Sequence, residues 1–218
     1  MNQISHTKEF FMLAVNEKGK IPALKQIEIY GCLLASSLME LINGGFVNKD
    51  EKGFFTIANP LTEDLSYLQP LYDRIATTKK PKNIEKLATD YLSGGKHTEA
   101  LLTALRESLV EKDYKEVVEN QGLFRNKTIY VPKFKELTKI ISKIRKQFFG
   151  DIPLEEETFR LVSLLEASNL TREYFGRIDT RLLKEKLEEL PDSRTRQLAK
   201  ELIDSTIVMM TVLTAVVT

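Results

Sequence analysis

The sequence has no tryptophan, one cysteine and two histidines in 218 residues. A lone Cys32 excludes a disulfide within the chain, and His6 and His97 leave too few nitrogen and sulfur ligands for a zinc site. Neither histidine is paired in sequence with Cys32 or with the other, so no nucleophile–base couple is readable. There is no Gly-x-Gly-x-x-Gly, and no glycine loop followed by Lys and Ser or Thr. An excess of one charge is lacking too. With 32 basic and 31 acidic residues the net charge is +1, which argues against a surface built throughout for nucleic acid. The start, MNQISHTKEFFMLAV, lacks the basic opening, long apolar stretch and small-residue cleavage site of a secretory signal. These absences together give the expectation of a non-enzymatic, cytoplasmic protein without a cofactor.

What is present is apolar periodicity. In Ile207 to Thr218 the polar side chains are Thr211, Thr214 and Thr218, which share one helical face, and every other face is apolar. Crossing a bilayer takes about 20 apolar residues, and this run is shorter. The run therefore reads as the apolar end of a helix that opens near Ser193, capped by Asp192 or Ser193, and that lies buried as the hub of the core.

Earlier segments follow the same logic. Thr7 to Val15 is a short apolar helix closed by Asn16-Glu17-Lys18-Gly19. Leu24 to Asn43 carries Ile27, Tyr30, Leu33, Leu34, Leu38, Leu41 and Ile42 at helical spacings and stops at Gly44-Gly45. Phe46 to Ile57 reads as a β-hairpin around a charged, glycine-containing turn. Helices are expected from Pro70 to Thr77, where proline suits the first turn, from Asn83 to Leu92, and from Thr98 to Asn120. Gly122 then leads into a second hairpin, Leu123 to Pro132, so a helix followed by a hairpin occurs twice. Phe134 to Phe148 alternates apolar residues, with Phe134, Leu137, Ile141, Ile144 and Phe148 inward and Lys135, Lys139, Lys143 and Lys146 on the opposite side. Glu155-Glu156-Glu157 places negative charge at the start of a helix running to Leu165. Shorter helices follow at Arg172 to Phe175 and Arg181 to Leu190. No low-complexity linker interrupts the chain, so residues 1–218 read as one domain: mainly α, a compact multi-helix unit with two β-hairpins and a buried apolar C-terminal helix.

Two side chains stand out in this pattern. Glu40, among Leu38, Met39, Leu41 and Ile42, is either a buried acid or a carboxylate paired at a helix edge. The lysines of 134–148 form either a solvated face or a patch for anionic lipid, where each lysine contributes about 1 kcal/mol. Four such lysines alone correspond to roughly millimolar binding.

Taken in order, these segments resemble the Golgi phosphoprotein 3 family. The resemblance is carried by FFMLAVNEKGKI (10–21), YGCLLASSLMELINGGFV (30–47), Pro70-Leu71-Tyr72-Asp73, the Lys80-Pro81-Lys82 break, the hairpin at Gly122, FRLVSLLEASNL (159–170) and the apolar C-terminal helix. It implies one mostly helical domain that self-associates through its hairpins. It also implies a peripheral membrane adaptor at the cytoplasmic face, since eukaryotic members bind phosphatidylinositol 4-phosphate and the cytoplasmic tails of glycosyltransferases. At the places of that family's lipid-binding tryptophan and arginine this chain carries Lys25 and Leu34. Arg106 and Lys112 lie near its arginine pair. The expected headgroup-binding set is Lys25, Arg106, Lys112, Arg125 and Lys127, gathered near the second hairpin, with membrane-protein tails as further partners.

A different class of function fits the same helix-then-hairpin pattern, a tandem winged-helix regulator of nucleic acid. Such a reader carries Lys, Arg, Asn or Gln on the exposed face of the helix before the wing. Between Gln26 and Asn43 there is no Lys or Arg.

Overall fold

The structure, a computed structural model, describes residues 5–77, 80–92, 94–110, 114–120, 126–189 and 193–217, of which 114–120, 126–129, 194–195, 209–210 and 212–217 are described by their backbone alone. It is a mainly α-helical domain. The first helix, α1 (His6–Ala14), starts at Ser5, whose side chain accepts the Lys8 N–H at 3.3 Å, and buries the run Phe10, Phe11, Met12 and Leu13. It stops where the Asn16 side chain captures the N–H groups of Lys18 and Lys20 in a tight turn. Pro22 then leads through a 3-10 turn, Ala23–Lys25, into α2 (Gln26–Asn43).

The centre of the fold is α2. Every residue from Ile29 to Leu41 is buried, including Gly31, Ala35, Ser36 and Ser37, whose small side chains let neighbouring helices approach closely. Those neighbours are α1, α4 (Ile84–Tyr91), α7 (Glu156–Ala167) and α10 (Arg194–Val217).

The hairpin after α2 is short, β1 (Val47–Lys49) against β2 (Phe55–Ile57), with Val47 opposite Ile57. A 3-10 segment, Glu63–Leu68, leads into α3 (Gln69–Ala76), and α5 (Lys96–Leu109) follows α4. Here the expectation of one helix to Asn120 is overturned. The helix ends at Leu109, and Tyr114–Asn120 is a strand, β3, antiparallel to β4 (Asn126–Pro132) with Tyr114 opposite Pro132. Tyr114, Val117 and Val118 favour an extended chain, while the interspersed Lys and Glu mimic helical charge spacing. The turn at Gly122 lies outside the described residues.

Beyond the second hairpin come α6 (Phe134–Phe149), α7, α8 (Thr171–Tyr174), α9 (Arg177–Glu189) and α10. The last of these departs from the expected all-round burial. Ala199, Leu202, Ile203 and Thr206 are buried, but Ile207 is 38% and Val208 61% exposed. α10 packs against α2, α7 and α4, and Ile207 and Val208 lie off that packed side. The side chains from Val212 onward, Leu213 included, lie outside the description. Most side chains on which the expected hub role of the C-terminal run rests lie outside the described residues; among the described residues α2 is buried from Ile29 to Leu41, with helices over most of its sides.

Candidate functional site

Leu24, in the 3-10 turn before α2, is 96% exposed, and two further exposed apolar residues, Phe134 and Ile152, sit beside the lysines of α6. Ile140, Ile144 and Phe148 bury the inner face of that helix. Phe134, expected with them, is instead 83% exposed. It is the first residue of the helix, separated from β4 by a single residue, and has no preceding helical turn to cover it. Ile152, in the Gly150–Pro153 turn at the other end, is 49% exposed.

Between these two lies a shallow cleft of about 670 Å³, lined by Phe134, Lys135, Thr138, Lys139, Ser142, Lys143, Lys146, Gln147 and Ile152. The lysines differ in what they touch. Lys139 binds Glu136 one turn back at 2.7 Å. Lys143 reaches across to α1 and donates to Glu9 at 2.6 Å. Lys135 and Lys146 are exposed and meet no carboxylate among the described residues. The surface thus has an apolar residue at each end and, between them, two paired and two unpaired lysines among the described residues.

Behind Lys143 is a buried polar network that fastens α1 to α2 and α7. Glu40 of α2 accepts the Thr7 N–H at 3.1 Å and the Tyr67 hydroxyl, so its carboxylate caps the amino end of α1. Glu40 is thus buried, as in the first reading of it, and hydrogen-bonded to neighbours, as in the second. His6 Nδ1 lies 2.7 Å from Glu157 Oε2 and 3.3 Å from Glu40 Oε1, and Arg160 donates to Glu157. Burial alone raises the Glu157 carboxyl, but His6 and Arg160 outweigh it and bring its pKa down to about 2. Burial raises Glu9 above the ordinary carboxylate range, a push that Lys143 opposes. Cys32 is enclosed in the core, and burial pushes its thiol far above the ordinary value. No cluster of three or more His, Cys, Asp or Glu placed to hold a metal occurs among the described residues.

Of the headgroup set read from the sequence, the side chains of Lys25 and Arg106 are among the described residues. Lys25 ends the 3-10 turn before α2 and donates to Asn169 O at 2.8 Å and to Glu173 at 2.5 Å, so its charge is engaged within the protein. Arg106 lies half-buried on α5, within electrostatic reach of Tyr30. Lys112 and Arg125 fall outside the description, and Lys127 is described by its backbone only, on β4. The helix-and-wing alternative needs an exposed reading helix, whereas α2 is enclosed from Ile29 to Leu41.

Residues 7–210 match the Golgi phosphoprotein 3 (GPP34) family. The chain belongs to that family. The match takes in α1 through most of α10 and so covers nearly the whole described fold. No curated protein matches the chain. Among the described residues of this Golgi phosphoprotein 3 family member, no helix is long and apolar enough to cross a membrane. Sequence reasoning found the lysines of the α6 face and missed its apolar ends. The signal for Phe134 was its place just after a strand ending in Pro132, where a first-turn residue has no preceding turn to pack on.

Proposed function

We propose that this protein is a non-enzymatic peripheral membrane binding protein of the cytoplasm, which docks on anionic phospholipid headgroups through the outer face of α6 and acts there as an adaptor for membrane-protein tails. The observation that carries this reading is the exposed Phe134 and Ile152 at the two ends of a lysine-lined cleft. Lys135 and Lys146 contribute about 1 kcal/mol each near an anionic surface. Burying the Phe134 ring among acyl chains adds about 1.5 to 3 kcal/mol. The sum, about 3.5 to 5 kcal/mol, corresponds to a Kd of roughly 0.2 to 3 mM for one copy. Attachment at cellular concentrations therefore calls for several copies acting together. The β3–β4 ribbon supplies a route, since a two-stranded sheet leaves unpaired backbone groups on both outer edges that recruit further strands. Family membership supports the adaptor role.

Co-sedimentation with vesicles of phosphatidylglycerol, cardiolipin or phosphatidylinositol 4-phosphate in phosphatidylcholine tests the reading. Pelleting is expected at low salt and reduced at physiological salt, absent with phosphatidylcholine alone, and lost in a Phe134→Ala/Lys135→Glu/Lys146→Glu variant. Failure to pellet with all three anionic lipids at both salts would sink it, as would undiminished pelleting of the variant.

A further inference from the structure

A second basic recess lies on the far flank of α9. One side of that helix faces α6, where Asp179 binds Arg145 at 2.8 Å and Lys186 donates to the Phe148 carbonyl. At about 100° per residue, Arg177, Arg181 and Lys184 fall on other sides of α9. With Arg172 of α8 they line a cleft of about 450 Å³. Its lining holds these four cations and one carboxylate, Glu166. Glu166 is already engaged, accepting the Thr171 hydroxyl at 3.2 Å and standing 3.7 Å from Lys184. Arg181 is loosely paired with Glu185 at 3.6 Å. Arg172 and Arg177 are exposed and have no carboxylate partner among the described residues.

We infer that this recess binds a phosphate monoester group. Two uncommitted guanidinium forks, backed by Arg181 and Lys184, match a group that carries close to two negative charges and three acceptor oxygens. Arg177 is also the first residue of the 13-residue α9, and a helix start adds unpaired backbone N–H groups and a favourable dipole for an anion. A clustered pocket of arginines differs in kind from the lysine row on α6, which presents spaced, strongly hydrated point charges to a surface. The recess opens on the flank of α9 turned away from α6, so the phosphate belongs to a soluble ligand rather than to a lipid of the membrane on which α6 would lie. The recess shares no lining residue with the α6 cleft, so phosphate binding stands or falls separately, while the choice of a soluble over a lipid source rests on the α6 docking reading.

Titration of the full chain with inorganic phosphate and with inositol hexakisphosphate, followed by calorimetry and by amide NMR shifts, tests this. Saturable binding is expected with both, with shifts centred on Arg172, Arg177 and Arg181. An Arg172→Ala/Arg177→Ala variant weakens binding at least about tenfold, as loss of charge-assisted hydrogen bonds requires, whereas Lys135→Ala/Lys146→Ala leaves it unchanged. Circular dichroism melts establish that both variants fold. No saturable binding of either probe up to about 10 mM, a Kd beyond which a site has no practical meaning, overturns the assignment. Equal weakening in both variants also overturns it, because diffuse attraction and not the recess would then be responsible. Sedimentation with phosphatidic acid vesicles distinguishes the source. If the soluble probes fail and the arginine variant alone loses these vesicles, the phosphate is a lipid's and the soluble reading falls.

Discussion

Lys143 of α6 is bound to Glu9 of α1 at 2.6 Å, although 134 residues separate them. Glu9 is 6% exposed, and Lys143 is the one lysine of the α6 cleft that reaches a carboxylate of another helix. That contact divides the lysine row into residues that hold the fold and residues that face outward. Replacing Lys143 with Met leaves a buried carboxylate without its cation. The loss is expected to be about 2 kcal/mol, below the 3 to 5 typical of a fully buried pair because Glu9 can take up a proton instead. Adding Glu9→Gln restores much of the stability. Urea unfolding of the two single variants and the double variant measures the coupling. Lys135→Ala and Lys146→Ala are expected to leave unfolding unchanged while reducing vesicle binding. A Lys143→Met protein as stable as the parent contradicts the division.

The His6–Glu157–Arg160 contacts predict an acid-dependent term. The Glu157 pKa is lowered from 4.5 to about 2 in the folded protein. A depressed carboxyl contributes stability that is fully present above its unfolded value and is lost as pH falls through its folded value. The contribution is therefore complete at neutral pH and disappears between about 4.5 and about 2. Glu157 is 40% exposed, so solvent screening holds the expected effect near 1 kcal/mol. Glu157→Gln should be less stable than the parent at pH 7 by about that amount, with the two unfolding curves converging as pH approaches 2. A constant gap across the range would show that the substitution acts through packing rather than through this charge.

How much of this was readable depends on whether a feature is local. The α2 and α6 helices were legible because their apolar spacing repeats over several turns, and the first hairpin was marked by a charged turn between apolar runs, whereas of the second only the returning strand was placed. Tyr114–Asn120 was not, because Lys115, Glu116 and Glu119 satisfy helical charge spacing as well as they satisfy a strand. The exposure of Phe134 depends on where α6 begins, and periodicity fixes a helix's faces better than its ends. Lys25 was chosen for its place in the chain, but its charge is taken up by Glu173, 148 residues away. The recess between α8 and α9 is assembled from short segments with no repeat, so nothing in the local pattern announced it.

Gly19 and Gly45 provide a controlled pair. Both have left-handed backbones, with φ of +65° and +76°. A side chain on Gly45 meets nothing within 4 Å, whereas a Cβ on Gly19 would lie 2.4 Å from the Tyr130 carbonyl oxygen of β4. Gly45→Ala is expected to cost about 1 kcal/mol, the strain of the backbone alone. Gly19→Ala carries the same strain and also pushes the α1–α2 turn off the base of the second hairpin, for a total of about 2 to 3 kcal/mol. Thermal melts should rank them in that order. Equal melting temperatures would mean that the turn and the hairpin do not press on each other in solution.

The last test separates the two faces of α10. Leu202 is 1% exposed on the side that lies along α2 and α7, and Val208 is 61% exposed on the other. Truncating Leu202 to Ala opens a cavity where the helices meet, for an expected loss of about 2 to 5 kcal/mol. Val208→Ala removes methyl groups that water already reaches, and the change should stay within about 0.5 kcal/mol. If α10 were surrounded on every side, both substitutions would be costly. Chemical denaturation reads the difference directly, since the Leu202 variant shifts the midpoint and the Val208 variant leaves it in place. A Val208→Ala loss approaching that of Leu202→Ala would mean that something covers the outer face in solution. The concentration dependence of that loss, present in an oligomer and absent in dilute monomer, would identify a second copy of the chain as the cover.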